Sequence, residues 1–318
     1  MNKITAAVIG VGYLGRFHAQ KYAQIPDCEL LAVVDGREEV RKSVAAEVGS
    51  QPCADYRELL GKVDAVSVVT PTPAHFEIAD AFLFAGAHVL VEKPITETPE
   101  QAKALINRAA ASGRVLQVGH LERFNAAVLA AEPHLRTPRF MECVRLAPYK
   151  ERGTDVNVVL DLMIHDIDLV QSLAGSDIES IDAIGTPVFS GEIDIANARI
   201  RFVNGCVANT TASRVSLKTE RKLRIFEDAA YISLDLQQKI LTLIRKREGG
   251  PQAGQLPVSI EESNLEQGDA LKSEIISFLE CIRNNRRPIV SGEDGLRALE
   301  TAIRITEQVH ANLKIRAG

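Results

Sequence analysis

Asp161 and His165 stand four residues apart inside the apolar stretch Val158-Val159-Leu160-Asp161-Leu162-Met163-Ile164-His165. On a helix that spacing sets a carboxylate and an imidazole on one face, where the imidazole can take a proton and the carboxylate can orient it. Asp166 and Asp168 follow at once, so a metal site is also conceivable there, and a plain structural pair is the commoner use of such spacing. Far upstream, Glu92-Lys93-Pro94 closes the apolar run Ala87-His88-Val89-Leu90-Val91. A buried strand ended by two charges and a proline delivers an ammonium group to a strand's carboxyl end, where open α/β sheets gather their ligands. Taken alone, the three residues fit a solvated Glu/Lys pair at the sheet rim equally well.

A third pattern gives those residues a cofactor. Gly10-Val11-Gly12-Tyr13-Leu14-Gly15 follows one apolar run and opens a helical pattern. Its glycines permit a tight turn, a close approach of backbone to a pyrophosphate, and close packing of helix on strand. The helix N-terminus adds N–H groups and a partial positive charge for phosphates. Asp35 ends the next strand, twenty residues beyond Gly15, where a carboxylate can accept hydrogen bonds from ribose hydroxyls. That carboxylate would repel a 2′-phosphate, so NAD is expected over NADP, with Arg37 leaving NADP as the lesser option. Thr70-Pro71-Thr72-Pro73 follows another strand, with His75 just beyond. The prolines fix a loop over the sheet edge near the nicotinamide end, or simply make a rigid strand-to-helix turn.

Strands are expected at Ile4–Ile9, Leu30–Val34, Ala65–Val69, His88–Val91 and Val115–Val118, with helices near Leu14–Gln24, Arg37–Val48, His75–Ala85 and Pro99–Ala111. Strand–helix alternation at that pace predicts a doubly wound parallel sheet. After Asn125 the rhythm changes. A helix over Asn157–Leu173 precedes strand-like runs at Ile178–Ile184, Asp194–Val203, Cys206–Arg214, Lys222–Phe226, Ala230–Leu234 and Lys239–Arg245. Asn204-Gly205 is a two-residue hairpin signal. The second half is therefore expected to be a largely antiparallel sheet, with a loop at 249–254 and closing helices near Asp269–Asn284 and Glu293–Leu313. Domains are expected over 1–121 and 122–318, the terminal helices being free to pack back on the first.

Composition removes several classes of function. A 318-residue chain with 46% hydrophobic and 25% charged residues can build two ordinary soluble cores. A net charge of -5 argues against a nucleic-acid surface, and no run approaches the ~20 apolar residues that span a bilayer. The N-terminus runs straight into a strand, with no room for a signal peptide. Five cysteines without CxxC spacing argue against a disulfide frame or structural zinc and for a reducing cytoplasm. No resident metal is expected.

Together, Gly10-x-Gly12-x-x-Gly15, Glu92-Lys93-Pro94 and Asp161-x-x-x-His165 resemble the Gfo/Idh/MocA family of nucleotide-dependent sugar and cyclitol oxidoreductases over essentially the whole chain. The resemblance implies an N-terminal Rossmann domain and a C-terminal α/β domain whose large open, mostly antiparallel sheet builds homodimers or homotetramers. It implies hydride transfer between nicotinamide and a ring carbon bearing a hydroxyl. Lys93 would favour the developing alkoxide, His165 would be the general base, and Asp161 would orient the substrate or the proton relay. Gly10, Gly12, Tyr13, Leu14, Gly15, Asp35, Arg37, Thr70, Pro71, His75, Glu92 and Lys93 would line the NAD site. The family often has a cis peptide before the motif's proline, which Lys93-Pro94 could adopt.

A narrower likeness rests on His120-Leu121-Glu122-Arg123-Phe124-Asn125 and on the segment from Asp161 to Asp168. It points to members that oxidise the 3-hydroxyl of UDP-N-acetylglucosamine or a related nucleotide sugar. Glycines common before the Asp-x-x-x-His helix are replaced here by Asp155-Val156-Asn157-Val158-Val159. Arg123, Asn125, Tyr149, Lys150, Arg152 and Arg214 are candidates to meet diphosphate or sugar hydroxyls, arginine being suited to phosphate by its planar fork. A free-sugar or cyclitol dehydrogenase is the alternative enzyme. A non-catalytic NAD-binding sensor or scaffold is the alternative of another class.

Overall fold

A computed structural model describes residues 3–150, 156–247, 257–265 and 268–317. The chain divides into two compact units: residues 1–121 with 269–299, and residues 122–268 with 300–318.

The first unit is built on β1 (Ile4–Ile9), α1 (Tyr13–Ala23), β2 (Cys28–Val34), α2 (Glu38–Val48), β3 (Gln51–Cys53), β4 (Ala65–Val68), α3 (His75–Phe84), β5 (His88–Glu92), α4 (Pro99–Ser112) and β6 (Leu116–Gly119). Its strands run in the order β3-β2-β1-β4-β5-β6, every pair parallel. Chain order reverses at the β1–β4 boundary, and ligands of such sheets sit outside the strand ends at that point. β4 and β6 are fully buried and β1 nearly so, as expected of strands covered on both faces. α4 opens with a capping box, Thr98 accepting from Gln101 N–H while the Gln101 side chain accepts from Thr98 N–H, and with Pro99 in its first turn.

The second unit holds α5 (Ala126–Ala131), β7 (Phe140–Leu146), a π-helical turn (Val159–Met163) running into α6 (Ile164–Ala174), and β8 (Ile178–Thr186), β9 (Ile195–Phe202), β10 (Val207–Ser213), β11 (Glu220–Phe226), β12 (Ala230–Asp235), β13 (Ile240–Lys246) and β14 (Val258–Asn264). The sheet order is β14-β13-β12-β11-β7-β10-β9-β8. All its pairs are antiparallel except β7 with β10. α6 packs on β7 and β10. Met141 and Cys143 of β7 are buried, as are Met163 of the π-helical turn and Ile164 and Ile167 of α6. Asn204-Gly205 makes the β9–β10 turn, Gly205 at φ +85°.

Two helices end the chain, α7 (Ala270–Asn284) and α8 (Gly292–Ala317). α7 belongs to the first unit and packs on α1, where Ile275, Phe278 and Leu279 join Ala19, Tyr22 and Val33 in one core. The division between units falls within α8, after Leu299. Among the described residues no helix is long and apolar enough to cross a membrane.

Candidate active site

The glycine turn is required partly by the fold and partly by something outside it. Gly10 has φ +86°, and a Cβ there would stand 2.7 Å from Val69 O and 2.9 Å from Thr70. One on Gly15 would stand 1.8 Å from Gly10 O. Gly12 differs: its nearest neighbour would be Arg37 Nη2 at 3.5 Å, an ordinary contact. Nothing in the protein forbids a side chain at Gly12, so its cradle suits a ligand brought against the backbone. Gly12 is also the N-cap of α1, which no side chain caps, and a helix end of that kind attracts phosphate. Tyr13 and Leu14 stand exposed beside it.

The groove between α1 and α2, about 610 Å³, is lined by Gly12, Tyr13, Arg16, Arg37, Val40 and Ser43 among others. Asp35 stands at the end of β2. Burial would raise its carboxyl pKa, but hydrogen bonds from the Arg37 side chain and backbone, Arg37's charge and Val11 N–H hold it below the usual range. Arg37 Nε donates to Asp35 Oδ1 at 3.0 Å and Nη2 to Oδ2 at 3.1 Å. Asp35 is thus ionised, and Arg37 must swing aside before a ribose can reach its oxygens. The residues present fit a dinucleotide.

At the end of β5, Glu92 is buried and Lys93 partly exposed, and the Lys93-Pro94 peptide is cis. Glu92 Oε1 lies 3.1 Å from His18 Nε2 of α1, and Oε2 accepts from Lys93 N–H at 3.3 Å. Burial favours a neutral Glu92, but the hydrogen bond and charge of His18 and the charge of Lys93 outweigh it and keep the carboxyl below its ordinary range. His75 is buried at the start of α3 and lies between two loops. Its Nδ1 lies 2.9 Å from Pro94 O and its Nε2 2.8 Å from Thr70 O. Desolvation lowers its pKa against those carbonyls. A neutral imidazole carries one N–H, so His75 donates to one of these carbonyls and only packs against the other.

In the second unit Asp161 lies in the π-helical turn and His165 in the first turn of α6, both partly exposed beside Leu160 and Leu162. Val158, Val159, Met163 and Ile164 are buried on the other side. π-helical turns occur often at functional positions. Asn157 starts the turn, its Oδ1 accepting from Val159 and Leu160 N–H at 3.0 and 3.1 Å.

Three expected substrate contacts are engaged inside the second unit instead. Arg123 forks onto Asp168 at 2.7 and 3.1 Å. Asn125 caps α5 and donates to Glu122 Oε2 and Leu236 O, which consumes its amide. Arg214 is buried, bound to Asp194 Oδ1, Ser190 Oγ and Val156 O. Tyr149 and Lys150 are exposed, Tyr149 edge-on to Phe189 at 5.4 Å between ring centroids, and Arg152 lies outside the described residues. Asp166, a conceivable metal ligand, is held by Arg145 at 2.8 and 3.0 Å. Among the described residues no group of three or more His, Cys, Asp or Glu is placed to hold a metal ion.

Two oxidoreductase-family models match this chain, one described as an NAD-binding Rossmann fold over residues 4–120 and one as a C-terminal alpha/beta domain over residues 145–315. The chain belongs to the Gfo/Idh/MocA family. It is an NAD-binding oxidoreductase. A UDP-N-acetylglucosamine 3-dehydrogenase from Acidithiobacillus ferrooxidans is 40% identical over 315 residues, covering 99% of this chain and all of that protein. A solved structure of a UDP-N-acetylglucosamine 3-dehydrogenase from the same organism superposes with a TM-score of 0.92 at 39% identity, over 98% of this chain and 99% of the other. A scyllo-inositol 2-dehydrogenase (NAD(+)) from Bacillus subtilis is 26% identical, over 99% of this chain and 96% of its own length.

Sequence reading missed His18, Glu274 and Arg145. The first two look like ordinary helical polar positions until folding sets them around Glu92. Arg145 stands at an inward position of β7, where a charge hides the alternation.

Proposed function

We propose that the chain oxidises the 3-hydroxyl of UDP-N-acetylglucosamine or a closely related nucleotide sugar with NAD, in a reducing cytoplasm. The full-length 40% identity to a UDP-N-acetylglucosamine 3-dehydrogenase carries this reading. When bound, NAD accepts the hydride. Lys93 places its ammonium charge at the carboxyl end of β5, where it stabilises the oxygen as the hydroxyl proton leaves. His165 accepts that proton, and Asp161 holds its orientation. The carbinol thus gives up one hydride and one proton and becomes a ketone. Five free cysteines support a reducing compartment. The inositol dehydrogenase relative supports a second reading, oxidation of a cyclitol.

Purified protein with NAD and UDP-N-acetylglucosamine should produce NADH. Lys93→Met should lower kcat by about 10²–10³, the usual loss when one stabilising group is removed, and leave NAD affinity nearly unchanged. His165→Ala should do likewise. Turnover of inositol without turnover of the nucleotide sugar would select the cyclitol reading. NAD binding with no turnover of either would leave a sensor.

The partner in assembly is a second copy of this chain. The outward side of the second unit's sheet carries an unbroken apolar row, Phe140, Phe226, Tyr231, Ile244 and Ile260, in register across β7, β11, β12, β13 and β14. Ile260 is exposed and the others partly so.

A further inference from the structure

Behind Lys93 the first unit encloses a polar cluster. His18 comes from α1, Glu92 from β5, Gln117 from β6 and Glu274 from α7. His18, Gln117 and Glu274 expose none of their surface. Gln117 Nε2 donates to Glu274 O at 3.3 Å, and Glu92 stands opposite Gly119 in the β5–β6 register. A Cβ on Gly119 would lie 2.7 Å from Glu92 Oε1, so the carboxylate fills the space a side chain would take. Four polar atoms here lack a protein partner among the described residues: His18 Nδ1, Gln117 Oε1 and both carboxyl oxygens of Glu274. Buried polar atoms are seldom left so, and a polar enclosure of this kind is where internal water resides.

Glu274 also faces the charge of Glu92. Burial, with repulsion from the charge of Glu92, drives the Glu274 carboxyl well above its ordinary range. The titratable groups that act with Glu274 are Glu92 at the end of β5, His18 of α1 bound to Glu92, and Tyr22 of α1. Tyr22 is bound to Ser67 Oγ at 3.0 Å.

We propose that Glu274 is a positioning residue for Lys93, completing with His18, Glu92, Gln117 and enclosed water a buried hydrogen-bond cluster. The neutral acid donates into the cluster, His18 fixes the Glu92 carboxylate, and Glu92 holds the turn that carries Lys93. The proposal rests on Lys93 being the group at the reacting centre.

The test pairs Glu274→Gln, which keeps a donor and cannot ionise, with Glu274→Leu, which removes it. Glu274→Leu should lower kcat about tenfold or more, with NAD affinity changed less than about threefold, and Glu274→Gln should restore most of the loss. Glu274→Gln should also gain thermal stability over the native chain as pH rises from about 5 to 8, because the native chain must keep a proton that the unfolded chain releases. That gain should shrink when Glu92→Gln is present in both chains. Full activity in Glu274→Leu overturns the positioning role. Equal impairment of both variants overturns the neutral acid. If Glu274→Leu fails to fold, the pH series and its Glu92→Gln counterpart decide: a gain that ignores pH or Glu92 overturns the cluster. Normal turnover in Lys93→Met would instead sink the catalytic reading, while the stability series would still judge Glu274.

Discussion

Gly12 and Gly15 are the same residue in one turn, yet the fold asks different things of them. A methyl on Gly15 would drive into Gly10 O, whereas a methyl on Gly12 would meet nothing closer than Arg37 Nη2 at 3.5 Å. Gly12 has φ -65° and ψ -151°, a conformation open to alanine. Gly12→Ala should therefore fold, at a cost of no more than about 1 kcal/mol for alanine at an N-cap. It should lose NAD affinity about tenfold or more, about 1.4 kcal/mol, if a pyrophosphate lies on that backbone. Gly15→Ala should fail to fold or melt far earlier. Thermal melts with NAD titration separate the two, and unchanged NAD affinity in Gly12→Ala would remove the cofactor from this cradle. The glycine spacing was legible in the sequence, but the division of labour was not. It depends on Gly10, Val69 and Thr70, which meet only when β1 and β4 pair.

At the scale of elements, the clearest departure from the sequence reading is β7. Its segment Phe140-Met141-Glu142-Cys143-Val144-Arg145-Leu146 alternates, but Arg145 lies on the buried side with Met141 and Cys143. Period-two reading needs apolar residues inside, and a buried guanidinium breaks the pattern. Arg145 is tolerated there because Asp166 and Glu122 both bind it. β3 is three residues long and β14 carries Glu261-Glu262, so neither offers an apolar signal. The remaining strands and the longer helices follow periodicity, but the six-residue α5 was not expected and the helix expected over Asn157–Leu173 begins as a π-helical turn. Arg214 shows the same limit at a loop: its fork is suited to phosphate, yet it closes on Asp194. That carboxylate accepts from Val188, Phe189 and Ser190 N–H at 2.7, 2.6 and 2.9 Å and from Arg214 Nε at 2.7 Å. Val158 N–H donates to Ile193 O at 2.9 Å, so the clamp also fixes the chain just ahead of Asp161. Burial would raise the Asp194 pKa, but these donors hold it far below its ordinary 3.8. A depressed carboxyl contributes stability above the unfolded value and loses it as pH falls through the folded one. Asp194→Asn should therefore cost about 3–5 kcal/mol at neutral pH, by stranding a buried guanidinium. Its melting temperature should also fall less steeply than the native chain's below about pH 4. Parallel acid limbs in the two proteins would show that Asp194 does not carry the charge.

For the whole molecule, the open face of the second unit's sheet poses the remaining energetic problem. Phe140 and Phe226 stack with ring centroids 5.6 Å apart, and Phe226 and Tyr231 at 4.9 Å. The row continues through Ile244 to Ile260, which is 57% exposed on β14. Glu142 and Arg224 pair beside it at 2.7 Å, a polar flank to an apolar centre. Contiguous exposed apolar surface of this kind marks an interaction site. A row set along one line of a sheet is matched by the same row on a second copy turned about a two-fold axis, since such an interface must be self-complementary. Tyr231→Arg places a cation at its centre and, in a dimer, two like charges across the axis. Sedimentation of the native chain should show a dimer at micromolar concentration, with the dissociation constant raised at least about tenfold in Tyr231→Arg. Ile260→Arg, at an exposed position, should weaken association with the monomer's stability nearly unchanged. A native chain that sediments as a monomer at every concentration would leave the row to another partner. A dimer indifferent to both substitutions would move the interface to another face.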